Sequence, residues 1–318
     1  MTERARLRVS VVVRALDEAR HIGRLLDGLS AQTVRPDEVI LVDSGSTDAT
    51  VSIAQAAGAR VVRVARGEFS FGRALNRGAE AASGDVLLIV SAHVYPVGED
   101  YVERMLGPFV RPGVAIAYGR QVGDHRTKFS EHRIMQHWFP AESIWDQGHP
   151  FSNNANAAVL RDVWAELRYD ETLTGLEDLE FAKRALERGY KVAYVADAPV
   201  VHVHEETWKV IQTRYRREAV AYSRIFRHSG MSAGKAIRLA LGNIVGDWRH
   251  ALEAGSFWQN ASGIVRFRLA QFTGAWQGLR SNGRVSDELL ERFYYPPSKR
   301  RPSRALRTRP VEHSEEGS

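Results

Sequence analysis

Residues 84–96 read GDVLLIVSAHVYP, and the fold class turns on them. Leu87, Leu88, Ile89 and Val90 form an unbroken apolar run, the pattern of a strand covered on both faces of a parallel sheet. Ser91, Ala92 and His93 follow at the carboxyl end of that strand, where open α/β sheets hold their ligands. An imidazole there is a metal ligand, a phosphate-binding cation or an idle turn residue. The residues on either side of this strand decide among the three.

The flanking sequence alternates strand and helix. RVSVVVRA (8–15) is a strand, and residues 17–32 bring Ile22, Leu25, Leu26 and Leu29 onto one helical face. EVILVDSGSTD is a second strand leading to a helix expected to start near Thr47, and ARVVRVA is a third strand. Residues 73–82 read as a helix of small residues. Strands separated by helices of this length predict a mostly parallel twisted sheet with right-handed crossovers. GVAIAYGR, NAAVLR, KVAYVAD and VVHVH supply further short strands.

The 318 residues carry a net charge of +6 and no cysteine. A basic surface suits anionic partners. Without cysteine there are no disulfides, thiolate metal sites or thiol nucleophiles. The amino terminus lacks the apolar stretch of a signal peptide, and no run of about 18 apolar residues occurs. This pattern predicts a cytoplasmic chain that does not span a membrane, with a peripheral position on the inner face of the cell membrane as its only membrane option.

After residue 206 the texture changes. Trp208 to His228 places Ile211, Tyr215, Ala219, Tyr222 and Phe226 on one stripe, with arginines on the others. Two further helices are expected around Ile237–Leu252 and Ile264–Leu279. The expected division is a catalytic-type α/β domain over 1–206, an amphipathic helical extension over 207–285, and a basic, disordered tail over 286–318.

Four stretches can carry chemistry. In VDSGSTDAT, Ser46 or Thr47 can cap a helix and Gly45 can make the turn, but Asp43 at a strand end needs partners of its own. Arg73 and Asn76 lie one helical turn apart, either on a plain surface helix or facing one pocket. Glu177 and Asp178 open a helix, where the macrodipole favours carboxylates, and either can serve as a general base. His202 and His204 alternate along VVHVHEE, so both face one side, beside carboxylates, as metal ligands often do. There is no G-x-G-x-x-G after the first strand and no P-loop.

Taken in order, VSVVVRALDEARHI, VDSGSTDAT, FGRALNRGAEAASGDVLLIVSAHVYP, FSNNANAAVLRDVW, GLEDLEFAKRALERGY and VVHVH resemble the family 2 glycosyltransferases of the GT-A fold over roughly residues 7–206. The helical extension resembles that of bacterial rhamnosyltransferase-like members. The resemblance implies an α/β nucleotide-diphospho-sugar transferase fold. It implies a donor site from Arg14, Ala15, Glu18, Asp43, Arg73, Asn76, Ser91 and His93, and a catalytic base at Asp178 with Glu177 beside it. It also implies metal ligation by a histidine after the last core strand, His202 or His204. Most members carry Asp-x-Asp where this chain has Ser91-Ala92-His93, so His93 stands in for a metal-binding carboxylate. A Mn²⁺ or Mg²⁺ cofactor is therefore in question, because imidazole brings no charge and is a poor partner for Mg²⁺. Residues 137–154, HWFPAESIWDQGHPFSNN, are expected to shape the acceptor site through Trp145, Asn153 and Asn154.

The implied activity is inverting transfer of a sugar from a nucleoside-diphosphate donor to a hydroxyl of a glycan or lipid-linked acceptor. The expected setting is bacterial surface polysaccharide or glycoconjugate synthesis. The extension packs on the core, forms a homodimer, or lies in the inner leaflet of the membrane. A catalytically silent sugar-nucleotide-binding or scaffold protein is the competing class, since the metal motif is altered; the intact Glu-Asp pair argues against it. A nucleotidyltransferase lacks its Gly-rich basic loop here, and no nucleic-acid-binding module is present.

Overall fold

A computed structural model describes residues 6–227 and 230–281 of the chain. The elements run β1 (Val9–Ala15), α1 (Ile22–Ser30), β2 (Glu38–Asp43), α2 (Thr50–Ala56), β3 (Arg60–Arg63), α3 (Phe71–Ala81), β4 (Val86–Ser91), β5 (Val94–Pro96) and α4 (Tyr101–Leu106). They continue with β6 (Val114–Val122), α5 (Phe129–Trp138), β7 (Asn156–Leu160), α6 (Arg161–Leu167), α7 (Glu177–Glu187) and β8 (Lys191–His202), then α8 (Trp208–Phe226), α9 (Ala233–Glu253) and α10 (Phe257–Arg280). KVAYVAD and VVHVH, expected as two strands, belong largely to the single strand β8, and His204 lies just past its end. The tail over 286–318 lies outside the described residues.

One eight-stranded sheet runs in the order β3-β2-β1-β4-β7-β6-β8-β5. The Val-rich β1 is parallel to β2 and β4, and β6 is parallel to β8. β7 runs against both its neighbours, and β5 against β8. The continuous apolar run of β4 is buried on both faces as its sequence requires: Leu88 and Val90 join a core with α1 and α4, while Leu87 and Ile89 join one with α3, α6 and α7. Each such side chain contributes about 1.5–3 kcal/mol by leaving water. Only Ala92 and His93 connect β4 to β5, yet β5 is at the far edge of the sheet. Two residues span at most about 7 Å, so the sheet curls into a half-barrel whose β8–β5 edge returns over the carboxyl end of β4.

The extension is folded onto this core in two layers. Thr207 and Ser232 cap α8 and α9 through their hydroxyls. Gly274 and Gly278 let α10 lie directly on α8: a Cβ at these positions would stand 2.2 Å from the Gln212 carbonyl and 2.4 Å from that of Arg216. Buried Asp247 of α9 receives Arg268 of α10 at 2.8 Å and Arg133 of α5 at 3.3 Å, tying the outer helices to the core. No helix among the described residues is long and apolar enough to cross a membrane.

Candidate active site

Strand register assembles the site before any side chain is considered. Arg14 pairs with Ser91 and Ala15 with Asp43, so the carboxyl ends of β2, β1 and β4 form one line. Antiparallel β7 begins at Asn156 opposite Val90, which brings Asn153 and Asn154 to the same edge. Asp43 is buried and accepts from the backbone N–H groups of Gly45 (3.2 Å) and Ser46 (3.1 Å). These turn amides are the partners its position demanded. The following helix starts at Thr50 rather than near Thr47, and Ser46 caps nothing: its hydroxyl accepts from the Asp17 N–H at 3.0 Å. Asp17, at φ +53°, in turn accepts from the Thr47 N–H at 2.7 Å, locking the two loops together.

At one pole of this line two carboxylates are pressed together. Glu177 is buried and meets the Arg14 guanidinium at 3.2 Å. Asp178 accepts from the backbone N–H of Asn154 (3.0 Å) and of Leu179 (2.8 Å), but only Glu177 of the pair has a cation in contact. Burial, with the adjacent Glu177 charge, pushes Asp178 up to about 7, and the two amides and Arg14 pull the other way. The preceding Leu176 has φ +56°, a left-handed conformation that is costly for a leucine and that turns the helix start into the site. Phe71 lies under Arg14, 4.8 Å from its Cζ, and Arg217 of α8 approaches the same ring at 4.6 Å. The extension therefore reaches this pole.

At the other pole three imidazoles converge. The turn between β4 and β5 carries His93, and the His93 carbonyl accepts from the Val203 N–H at 3.2 Å, so His93, His202 and His204 are neighbours. One ring nitrogen from each lies within 4.8 Å of the others. His204 Nδ1 is 2.7 Å from Glu131 Oε1, and His202 Nδ1 is 2.6 Å from Gln121 Oε1. The two Nε2 atoms lie 2.9 Å apart, within hydrogen-bond distance, and each is open to ligation when its ring carries the proton on Nδ1. Burial and the adjacent His204 and His93 hold His202 well below its ordinary range, hence neutral. Glu18, buried, stands 3.2 Å from His93 Nδ1 and orients the third ring. Three imidazoles, two of them with a carboxylate behind, fit a first-row transition ion and do not fit Mg²⁺.

Several expected residues do other work. Asn76 is buried and saturated: its amide donates to the Tyr169 carbonyl and Glu171, and its oxygen accepts from Trp164 Nε1 and the Tyr169 N–H. It anchors residues 169–171 and has no group left for a donor nucleotide. Arg73 is paired with Glu171 at 2.7 Å and donates to the Glu68 carbonyl, so two of its three nitrogens are engaged within the fold. Trp145 lies apart from the histidines along β8. Ile144 bridges to Tyr194 and Arg111 stacks over the Trp145 ring at 4.3 Å, placing Trp145 at the start of β8, roughly 25 Å of strand from His202. Conversely, Gln121, Glu131 and Arg217 at the poles carried no sequence signal, since each acts through a partner dozens of residues away.

Residues 10–167 match the model of the glycosyl transferase family 2. The chain is 26% identical to the O-antigen chain rhamnosyltransferase RfbN of Salmonella typhimurium over 294 residues, covering 86% of this chain and 91% of the relative. Among solved structures it is similar to the mannosyltransferase PcManGT from Pyrobaculum calidifontis in complex with GDP-Man and Mn²⁺, with a TM-score of 0.59, 20% identity and 88% of each chain covered. It is also similar to glucosyl-3-phosphoglycerate synthase from Mycobacterium tuberculosis in complex with Mn²⁺, UDP and glucosyl-3-phosphoglycerate. That match has a TM-score of 0.53 and 23% identity, and covers 70% of this chain and 80% of the other. At these identities the two structures establish the fold.

Proposed function

Residues 10–167 are a glycosyl transferase family 2 domain, and from that premise we propose that the chain moves a sugar from a nucleoside diphosphate to a hydroxyl of a glycan or lipid-linked acceptor, with inversion. The observation that carries the reading is the unequal pair at the start of α7: Glu177 is neutralised by Arg14, while Asp178 is held near 7 and can accept a proton. Asp178 takes the proton of the acceptor hydroxyl as its oxygen attacks the anomeric carbon. The bond from that carbon to the diphosphate oxygen breaks, and the nucleoside diphosphate leaves. Arg14, Ala15, Asp43 and Ser91, aligned at the strand ends, cradle the donor; Asn153 and Asn154 flank the acceptor side. His93, His202 and His204 would hold a transition-metal ion such as Mn²⁺ or Zn²⁺, which when bound supplies positive charge to the diphosphate. Similarity to RfbN supports a surface-polysaccharide setting.

A thermal-shift series with UDP, dTDP and GDP, each in EDTA, Mg²⁺, Mn²⁺ or Zn²⁺, tests this reading. We expect one diphosphate to raise Tm in the presence of a transition ion, with the gain lost in His93→Ala. No stabilisation by any diphosphate would remove the donor site.

The outer face of α9 and α10 supports a membrane-surface position. Ile237, Leu241, Val245 and Leu252 form one exposed stripe, and Trp258 is 90% exposed. Exposed Arg238 and Arg249 lie along the stripe and Arg266 on α10, whereas the only acids of the two helices are Glu253 and the ion-paired Asp247. An apolar stripe beside unopposed cations matches an anionic lipid surface. Two copies meeting there would set cation against cation. Flotation with anionic vesicles at low salt should capture the protein, and Ile237→Ser/Leu241→Ser/Trp258→Ser should lose most of that capture. Equal capture by neutral vesicles, or none by anionic ones, would overturn it.

A further inference from the structure

Arg214, on α8, reaches out of the extension into the polar layer behind the histidines. Its Nη2 donates to Glu131 Oε1 at 2.6 Å and to Glu206 Oε2 at 2.8 Å, and its Nε to the same Glu206 oxygen at 3.0 Å. The Glu131 oxygen that receives Arg214 is the one that receives His204 Nδ1 at 2.7 Å. Glu131 is 3% exposed, and its other carboxylate oxygen has no hydrogen-bond partner. A buried carboxylate held at one oxygen by one guanidinium and one imidazole has its orientation set by the guanidinium, because the charge-assisted bond is the stronger of the two. Glu131, His204 and Glu206 are close enough to suggest a second cation site, but the Arg214 guanidinium already bonds to both carboxylates.

We propose that Arg214 is a positioning residue for the histidine pole: by pinning Glu131 it keeps His204 Nδ1 engaged and His204 Nε2 aimed at His202. The inference rests on the metal reading above and extends it. The site at the strand ends is complete only when α8 is docked, so the helical extension is part of the donor-metal machinery as well as a surface module. Partners that orient a metal-binding imidazole are worth about 10–100-fold in metal affinity.

The test uses the full-length protein and Mn²⁺ alone, with bound and free ion separated by the EPR signal of free Mn²⁺. Arg214→Met should weaken binding by about 10–100-fold, and Arg214→Lys should fall between it and the wild type. Because Arg214→Met leaves Glu131 and Glu206 without their cation and can fail to fold, the double variant Arg214→Met/Glu206→Gln removes the guanidinium with one of its carboxylates, keeps Glu131 beside His204, and should show the same loss. Arg268→Met, which breaks the α9–α10 ion pair and contacts none of Arg214, Glu131 and the three histidines, should bind as the wild type does. In the metal-free protein, ¹⁵N chemical shifts of His204 should report a protonated Nδ1 in the wild type and a mixture of tautomers in the double variant, a change that general loosening of α8 in Arg268→Met does not produce. A folded double variant with wild-type Mn²⁺ affinity and an unchanged His204 tautomer overturns the positioning role alone. A wild type that binds neither Mn²⁺ nor Zn²⁺ overturns the metal site and the clamp together.

Discussion

The two poles of the site are built on opposite electrostatic errors. At the start of α7, two carboxylates are pressed together with Arg14 in contact with Glu177, and burial with the Glu177 charge pushes Asp178 up to about 7. At the β4–β5 turn, three imidazoles crowd together, and burial with the neighbouring rings keeps His202 neutral. Each pole is unfavourable by itself. On the function proposed above, the first would take an acceptor proton and the second a cation bound to a diphosphate. Like-group crowding at the end of a sheet, stabilised by the core behind it, is how a fold stores such a readiness.

The largest expected effect separates the poles outright. Asp178→Asn removes the proton acceptor and leaves the histidines untouched. Transfer should fall by about 10³-fold, while the Tm gain from nucleoside diphosphate plus metal stays as in the wild type. Loss of both together would show that the poles are not independent, and retention of more than about a tenth of the activity would assign the base elsewhere.

The sequence displayed these poles unequally. The strand order of β1, β2 and β4 is written in local runs such as VSVVVRA and VLLIV, whose periodicity depends only on neighbours, and the Glu-Asp pair and the H-x-H pair are contiguous. The half-barrel was not legible, because it follows from a two-residue link between strands that end up at opposite positions in the sheet. Asn76 was misplaced for the same reason. An amide on a helix looks alike whether it faces a nucleotide or the Tyr169 backbone. Glu131 and Arg214 act only as a pair with His204, and 83 residues separate them from one another.

A smaller effect comes from changing one pole to resemble the other. His93→Asp places a carboxylate among the imidazoles, next to Glu18. Hard oxygen donors favour Mg²⁺, and imidazole donors favour later transition ions. The ratio of Mg²⁺-supported to Zn²⁺-supported donor stabilisation should therefore rise by about tenfold. An unchanged ratio in a folded variant would mean that His93 does not ligate the ion, and would leave His202 and His204 as the metal-binding pair.

The smallest effect is thermodynamic and concerns the carboxylate pole alone. An unfolded Asp ionises near 3.9, whereas folded Asp178 does so near 7. Below pH 4 both states hold the proton and no difference arises. As pH climbs from 4 to 7 the unfolded chain releases its proton freely and the folded one resists, so the stability contributed by this group is lost over that window and stays lost above it. The ceiling is about 1.4 kcal/mol per pH unit; Asp178 is partly open to solvent, so roughly 2 kcal/mol in all is expected. Asp178→Asn abolishes the titration but sets an NH₂ group against one of the two backbone N–H groups that the carboxylate accepts from, which costs about 1–2 kcal/mol at every pH. The variant should thus be less stable than the wild type at pH 4 and match or exceed it at pH 8. A difference in unfolding free energy that stays flat between these values would show that Asp178 titrates in the ordinary carboxylate range, and that the crowding at this pole is relieved by Arg14 for both carboxylates.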